Sequence, residues 1–265
     1  MNEVILLGVP WDASSSFMRG SALAPDNIRA SLRCDSANSY AENGVDVLNH
    51  PMLRDAGNLK DLCSAADYLT IEKEIARYLE TGAKVLALGG DHSITYPLAR
   101  AYHRIYPEFD LFQLDAHADT YDQFDGNKYS HACPFARIME EKIPQRLVQI
   151  GVRALTTHQR EQAKRFGIQT IEMKNWTDGC RQLEFTRPVY ISLDLDVIDP
   201  AFVPGVSHHE PGGASVRDVI QIIQSIQAPV IGCDLVEYNP QRDIMGMTGM
   251  VAAKLVRELL SVLLA

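Results

Sequence analysis

Residues 109 to 120 read FDLFQLDAHADT, an apolar run that ends in Asp115, His117 and Asp119 at every second position. Such a run, short and without a regular polar alternation, reads as a strand buried on both faces of a parallel sheet. The same pattern recurs in EVILLGVP (3–10), KVLALGG (84–90), RLVQIGV (146–152), PVYISLDLD (188–196) and PVIGCDLV (229–236). Between these runs, apolar positions return at helical spacing over residues 60–80, Ser93 to Ile105, Thr157 to Phe166, Ser215 to Ile226 and Gly249 to Leu264. Strand and helix alternate from end to end, and no repeat, low-complexity tract or Pro/Ser-rich linker divides them. The expectation is one α/β domain over residues 1–265, a three-layer αβα sandwich with a mainly parallel central sheet. Sheets of this kind bind ligands beyond the carboxyl ends of their strands.

At 265 residues, 46% of them hydrophobic and 22% charged, the chain can bury a sizeable core and shows no bias towards disorder. A formal net charge of −9 argues against nucleic acid as partner and favours a small or cationic ligand. Cys34, Cys63, Cys133, Cys180 and Cys233 are scattered and form no CxxC pair, which suggests free thiols in a reducing compartment. The N-terminal residues show no signal-peptide pattern, and no run is long enough to cross a bilayer, so the expectation is a cytoplasmic protein without membrane contact.

Three strand candidates end in ligand-type residues: Asp91 and His92 after VLAL, Asp115, His117 and Asp119 after FDLFQL, and Asp194, Asp196 and Asp199 in YISLDLDVIDP. Strand alternation would point 115, 117 and 119 to one side, and 194 and 196 likewise. Buried carboxylates need a counter-charge, and these three runs hold no lysine or arginine. A metal cation supplies it. Oxygen-rich sets with an imidazole suit hard or borderline divalent ions such as Mn²⁺, and the excess of carboxylates points to two ions sharing bridging ligands. Metal-assisted hydrolysis is the reaction class this implies. Asp91, before a helix start, and Asp199, before Pro200, read instead as capping or turn residues.

GGDHS at 89–93, DAHAD at 115–119, SLDLDVIDP at 192–200 and VEYNP at 236–240 resemble the ureohydrolase family, which includes arginases and agmatinases. The resemblance extends from GVPWDASSSFMRG to MTGMVAAKLVREL and so covers nearly the whole chain. It implies an arginase-like fold and two Mn²⁺ per subunit. One ion would be held by His92, Asp115, Asp119 and Asp194, the other by Asp115, His117, Asp194 and Asp196, with Asp115 and Asp194 bridging. His131, in GNKYSHACPF, matches the family histidine that passes a proton to the leaving amine, a natural role for an imidazole near neutral pH. Glu237 matches the carboxylate that pairs with the substrate guanidinium. Asp119 would also accept a hydrogen bond from the nucleophile. The reaction implied is attack of a metal-activated water on the guanidinium carbon, releasing urea and an amine.

In the stretches 125–140, 200–220 and 237–243 the chain looks most like plant-type arginases, which makes L-arginine the expected substrate and L-ornithine the product. Agmatine, giving putrescine, and other guanidino acids are the alternatives. Animal arginases carry aspartates after the strand IGVR that recognise the substrate α-amino group; here the run is ALTTHQREQ, as plant-type enzymes also lack them. Recognition of the amino-acid end would fall to Asn127, Ser130, His208 and His209, although the histidine pair reads equally well as plain loop residues. Two other classes compete. A deacetylase-type amide hydrolase would need one metal, against which His117 and Asp196 argue; a non-catalytic, metal-stabilised binding protein would have no use for His131 or Glu237. The family further implies a homo-oligomer, a trimer or hexamer, and the apolar end VRELLSVLLA could pack within or between subunits.

Overall fold

The computed structural model describes residues 3–62 and 67–265; Cys63 lies outside them, as do residues 63–66 of the helix expected over 60–80. Eight strands form one sheet: β1 (Val4–Gly8), β2 (Leu53–Asn58), β3 (Lys84–Leu88), β4 (Asp110–Leu114), β5 (Arg146–Val152), β6 (Gln169–Glu172), β7 (Val189–Asp194) and β8 (Val230–Val236). Their order is β2-β1-β3-β8-β7-β4-β5-β6, and every pairing is parallel. Successive residues of a strand serve opposite faces. Val4 and Leu6 pack into one core and Ile5 and Leu7 into the other; Leu86 and Leu88 divide from Val85 and Ala87 in the same way. Both sets must be apolar, which is why these strands show no polar alternation.

Helices cover both faces. One face carries α1 (Ala24–Leu32), α6 (Val216–Ser225) and α7 (Met247–Leu263); the other carries α2 (Tyr68–Leu79), α3 (Thr95–Ile105), α4 (Pro134–Glu140) and α5 (Thr157–Phe166). Local chemistry sets their ends. Capping boxes start α5, with Thr156 and Gln159, and α6, with Ser215 and Asp218; Gly167, at φ 67°, stops α5. The terminal helix is internal: Leu255, Val256, Leu259, Leu260 and Leu263 are all buried in the core shared with α1 and α6.

Sequence patterning missed β2, β6, α1 and α4. β2 (LRDAGN) and β6 (QTIE) are the two edge strands, half exposed, and lack the apolar run on which strand recognition rests. α4 is seven residues long, too short to display a helical period, and α2 begins at Tyr68.

The carboxyl ends of the four central strands, β3, β8, β7 and β4, meet beneath the segment that follows β1. That segment crosses Gly90 at backbone distance: Gly90 N–H donates to Val9 O, Asp91 N–H to Trp11 O, and Glu237 N–H to Gly90 O. A Cβ on Gly90 would lie 1.7 Å from Trp11 O. We therefore expect Gly90→Ala to cost about 3 kcal/mol or more, because only backbone could move aside. Gly44→Ala, at φ 85° with nothing within 4 Å, should cost only about 1 kcal/mol. Urea midpoints at constant m-value test this ordering, and equal midpoints for the two variants would refute it.

Candidate metal centre

The central strands deliver the ligand-type residues through tight turns. His92 opens the one-turn helix His92–Ile94 after β3, capped by Asp91, which accepts the Ser93 amide. Asp91 also accepts the Ser14 amide and the Ser15 hydroxyl, so it ties the segment after β1 to the site. Asp199 serves a turn, accepting the amides of Ala201, Gly212 and Gly213. Asp115, His117 and Asp119 do not converge by strand alternation, as the pattern suggested: β4 ends at Leu114 and the three lie in a loop. There Asp115 accepts the His117 amide at 2.6 Å, and Asp119 turns the chain at φ 49°. Asp194 ends β7, and Asp196 follows in the turn Leu195–Val197, its amide donating to Asp194 Oδ1 at 2.8 Å. Asp196 Oδ1 accepts the Ala116 amide at 3.0 Å and so joins the two loops.

His92 is fully buried. Its Nδ1 lies 3.0 Å from Asp115 Oδ2 and 3.1 Å from both Asp119 Oδ2 and Asp194 Oδ2, with no hydrogen bond of acceptable geometry to any of them. Its Nε2 sits 3.0 Å from Ser192 Oγ, whose proton goes to Asp234 Oδ1 at 2.7 Å. The serine must therefore accept from Nε2–H, which leaves the Nδ1 lone pair facing three carboxylate oxygens. Such a meeting of acceptors is stable only around a positive charge. With no metal, a proton on the ring is the remaining counter-charge, and although burial opposes it, the three carboxylates push the His92 pKa well up.

The second half is similar. His117 Nδ1 is 2.9 Å from Asp196 Oδ2 and 3.7 Å from Asp115 Oδ1. The sets His92/Asp115/Asp119 and Asp115/His117/Asp196 share Asp115, as two ions with a bridging carboxylate require. Burial, reinforced by Asp196 and Asp119, raises Asp115 to about 7, and burial with the same crowding holds Asp194 well above its ordinary value. Asp196, despite burial, is held low by His117, which is itself pushed up to about 11 against burial, chiefly by Asp196. Imidazoles and carboxylates without a thiolate form a donor set for hard or borderline divalent cations. The residues fit a two-metal centre.

Above them opens a cavity of about 190 Å³ lined by His117, Asp119, Asp194 and Asp196 and by Ser16, Tyr121, Phe124, His131, His208 and Glu237. A wider groove of about 570 Å³ between α1 and β2 is lined by no histidine or metal-ligand set, and its Arg29 and Arg33 are paired with Asp55. Glu237, at φ 64° just after β8, accepts the His92 amide at 2.9 Å and His131 Nδ1 at 2.8 Å, both on Oε1. Burial disfavours its charge, but His131 outweighs burial and keeps Glu237 below the usual carboxylate range. Burial likewise opposes a charge on His131, and Glu237 overcomes it, raising the imidazole to about 9. His131 Nε2 contacts Ser16 Oγ at 2.8 Å.

The loop residues separate. His208 lines the cavity, with ring centroids 5.1 Å from His131, 6.0 Å from His117 and 5.6 Å from Phe17, and burial lowers its pKa. His209 turns outward to Pro204 O and Arg242. Asn127 is exposed and folded onto the Tyr129 amide, while Ser130 is buried against the Ala132 amide; neither lines the cavity. Ser16, Tyr121, Phe124 and Gln159 line it without having been singled out in the sequence. Ser16 had a signal in its place in GVPWDASSSFMRG, and Gln159 in the run ALTTHQREQ after IGVR. Cys34, Cys133, Cys180 and Cys233 are free thiols, as expected.

Comparison with known proteins agrees with this geometry. The model of the arginase family matches residues 2–261. "Arginase 1, mitochondrial" of Arabidopsis thaliana is 47% identical, with 96% of this chain and 79% of that protein covered. The N(1)-aminopropylagmatine ureohydrolase of Thermus thermophilus is 34% identical, covering 96% of this chain and 88% of that protein. The solved arginase of Medicago truncatula superposes with a TM-score of 0.93 at 41% identity, over 99% of this chain and 87% of that one. These findings overturn the cytoplasmic expectation. The Arabidopsis relative is named as mitochondrial, and so are arginases of Oryza sativa and Medicago truncatula. Free thiols mark a reducing environment and do not discriminate among the compartments that provide one. No helix among the described residues is long and apolar enough to cross a membrane. With the family model matched over nearly its whole length and a buried His/Asp cluster of two-metal type, the chain belongs to the arginase family and is a ureohydrolase.

Proposed function

We propose that the protein hydrolyses L-arginine to L-ornithine and urea at a pair of Mn²⁺ ions. The observation that carries this reading is Glu237, a buried carboxylate in the wall of the cavity whose hydrogen bonds both fall on Oε1. Among the described residues none bonds its Oε2, which is left to receive a guanidinium N–H, and a planar cation is the natural partner for an acid at this place. Two bound ions would neutralise the carboxylates and would supply a water of lowered pKa as the nucleophile for the guanidinium carbon. His92, Asp115, Asp119 and Asp194 would hold one, and Asp115, His117, Asp194 and Asp196 the other. Asp119 also accepts a hydrogen bond from the attacking water. His131, kept protonated by Glu237, delivers its proton to the departing amine.

The outer cavity favours arginine over agmatine. Its acids are Asp119, Asp194, Asp196 and Glu237, all committed to the metal or guanidinium end. Ser16, Tyr121, Gln159 and His208, which also line it, are neutral groups with hydrogen-bond donors. These suit an α-carboxylate, the group that arginine has and agmatine lacks. The similarity to plant arginases supports the same choice, and the assembly proposed with it is a trimer or hexamer, measurable by sedimentation.

Urea release by Mn²⁺-loaded protein, with arginine, agmatine and shorter guanidino acids side by side, tests the assignment. Arginine should exceed the others in kcat/KM; agmatine in first place would make the protein an agmatinase. His131→Ala should lower kcat by roughly 10² to 10⁴-fold with two Mn²⁺ still bound. Glu237→Gln should lower kcat/KM roughly 100-fold through loss of the guanidinium partner. Wild-type turnover by either variant would remove that residue from the mechanism. Dialysis against EDTA should depress Tm, and Mn²⁺ at about 100 times its Kd should restore roughly 2.7 kcal/mol per site. An unchanged Tm would mean that the ions do not bind the folded chain preferentially.

A further inference from the structure

Loop 115–119 carries three of the metal ligands and has no regular structure, yet it is held from beneath. Gln113 on β4 and Gln149 on β5 are register partners, and Thr170 on β6 is the partner of Gln149. The three form one row across adjacent strands. Both glutamines are fully buried, a place where an unpaired amide would cost about 1–3 kcal/mol.

Every bond in the row runs one way. Thr170 Oγ1 donates to Gln149 Oε1 at 3.0 Å. Gln149 Nε2 donates to Gln113 Oε1 at 2.6 Å and to Ala118 O at 2.8 Å. Gln113 Nε2 donates to Asp115 Oδ2 at 2.7 Å and to His117 O at 3.3 Å. Each amide nitrogen thus uses both of its hydrogens, and each amide oxygen is engaged. The direction is forced, because turning either amide around would set oxygen against the Asp115 carboxylate or a loop carbonyl. Bonds aligned in series polarise one another in a dry interior.

We propose that Gln113 and Gln149 are positioning residues of the metal centre, holding Asp115, the carboxylate shared by both ligand sets, together with the backbone on either side of Ala118. Neither glutamine lines the substrate cavity, so their influence on the chemistry passes through the ligand loop. The inference rests on the two-metal reading given above.

The test is Mn²⁺ affinity of the metal-free protein, by calorimetry or by the EPR signal of free Mn²⁺, beside thermal unfolding in EDTA. Gln113→Met keeps the volume and removes the donors to Asp115 and His117; it should weaken Mn²⁺ binding roughly 10 to 100-fold. Gln149→Met, which frees the Gln113 amide to turn and leaves Ala118 O without its donor, should weaken it less. Thr170→Val, at the far end, should weaken it least. A role confined to folding would lower the metal-free Tm with the Mn²⁺ Kd unchanged, and that pattern overturns the proposal. If Gln113→Met does not fold, Gln149→Met decides by the same comparison. Affinity is read without substrate, so the two levels separate. Wild-type protein that binds no Mn²⁺ would overturn the metal-centre reading itself, whereas tight wild-type binding matched by the variants would overturn only the positioning role.

Discussion

The structure depends on one electrostatic constraint: four buried aspartates, with two imidazoles among them, brought together at the carboxyl ends of the central parallel strands. Carboxylates so close and so dry resist ionisation, which is why Asp115 and Asp194 sit high. The chain accepts that cost at the place where a divalent pair repays it, and the surrounding architecture serves to keep the acids from moving apart. Asp115 and Asp194 each bond the amide two residues ahead, Asp196 bonds the neighbouring loop, and the Ser192–Asp234 pair fixes which nitrogen of His92 faces inward.

A second ionic pair is arranged differently. Glu237 and His131 each counter the burial of the other, so both stay charged near neutral pH without an ion between them. The centre therefore joins two electrostatic units through the His92 amide, which donates to Glu237 while its ring faces the acids. One unit calls for a positive charge from outside; the other supplies its own.

Much of this was readable in the chain because burial on both faces leaves a plain mark. The six strands found from sequence are the interior ones, and three of them, β3, β4 and β7, end in the clustered acids and imidazoles; β2 and β6, at the edges, carry neither apolar runs nor such residues. The clustered acids and imidazoles were visible as types and spacings, although the way they converge was not: local turns bring 115, 117 and 119 together, and turn geometry does not follow from alternation. The cavity wall was least readable. Ser16, Tyr121, Phe124, His208 and Gln159 come from four separate segments, and only the fold brings them together. Asn127 and Ser130 illustrate the converse, since sequence proximity to His131 does not turn a side chain towards the cavity.

The strand order carries a consequence for how the molecule is made. β3 and β4 are successive in the chain, yet β8 and β7 lie between them. Without β7 and β8, which come from the last third of the polypeptide, the strands can pair only as two halves, β2-β1-β3 and β4-β5-β6, each with an unpaired inner edge. His92 belongs to one half, and Asp115, His117 and Asp119 to the other; Asp194, Asp196 and Glu237 arrive with the wedge that unites them. The ligands cannot surround an ion before that insertion, so completion of the sheet and completion of the metal centre are one event. Contacts of such long sequence separation form slowly, and before they form those two inner edges are the places where another chain could pair.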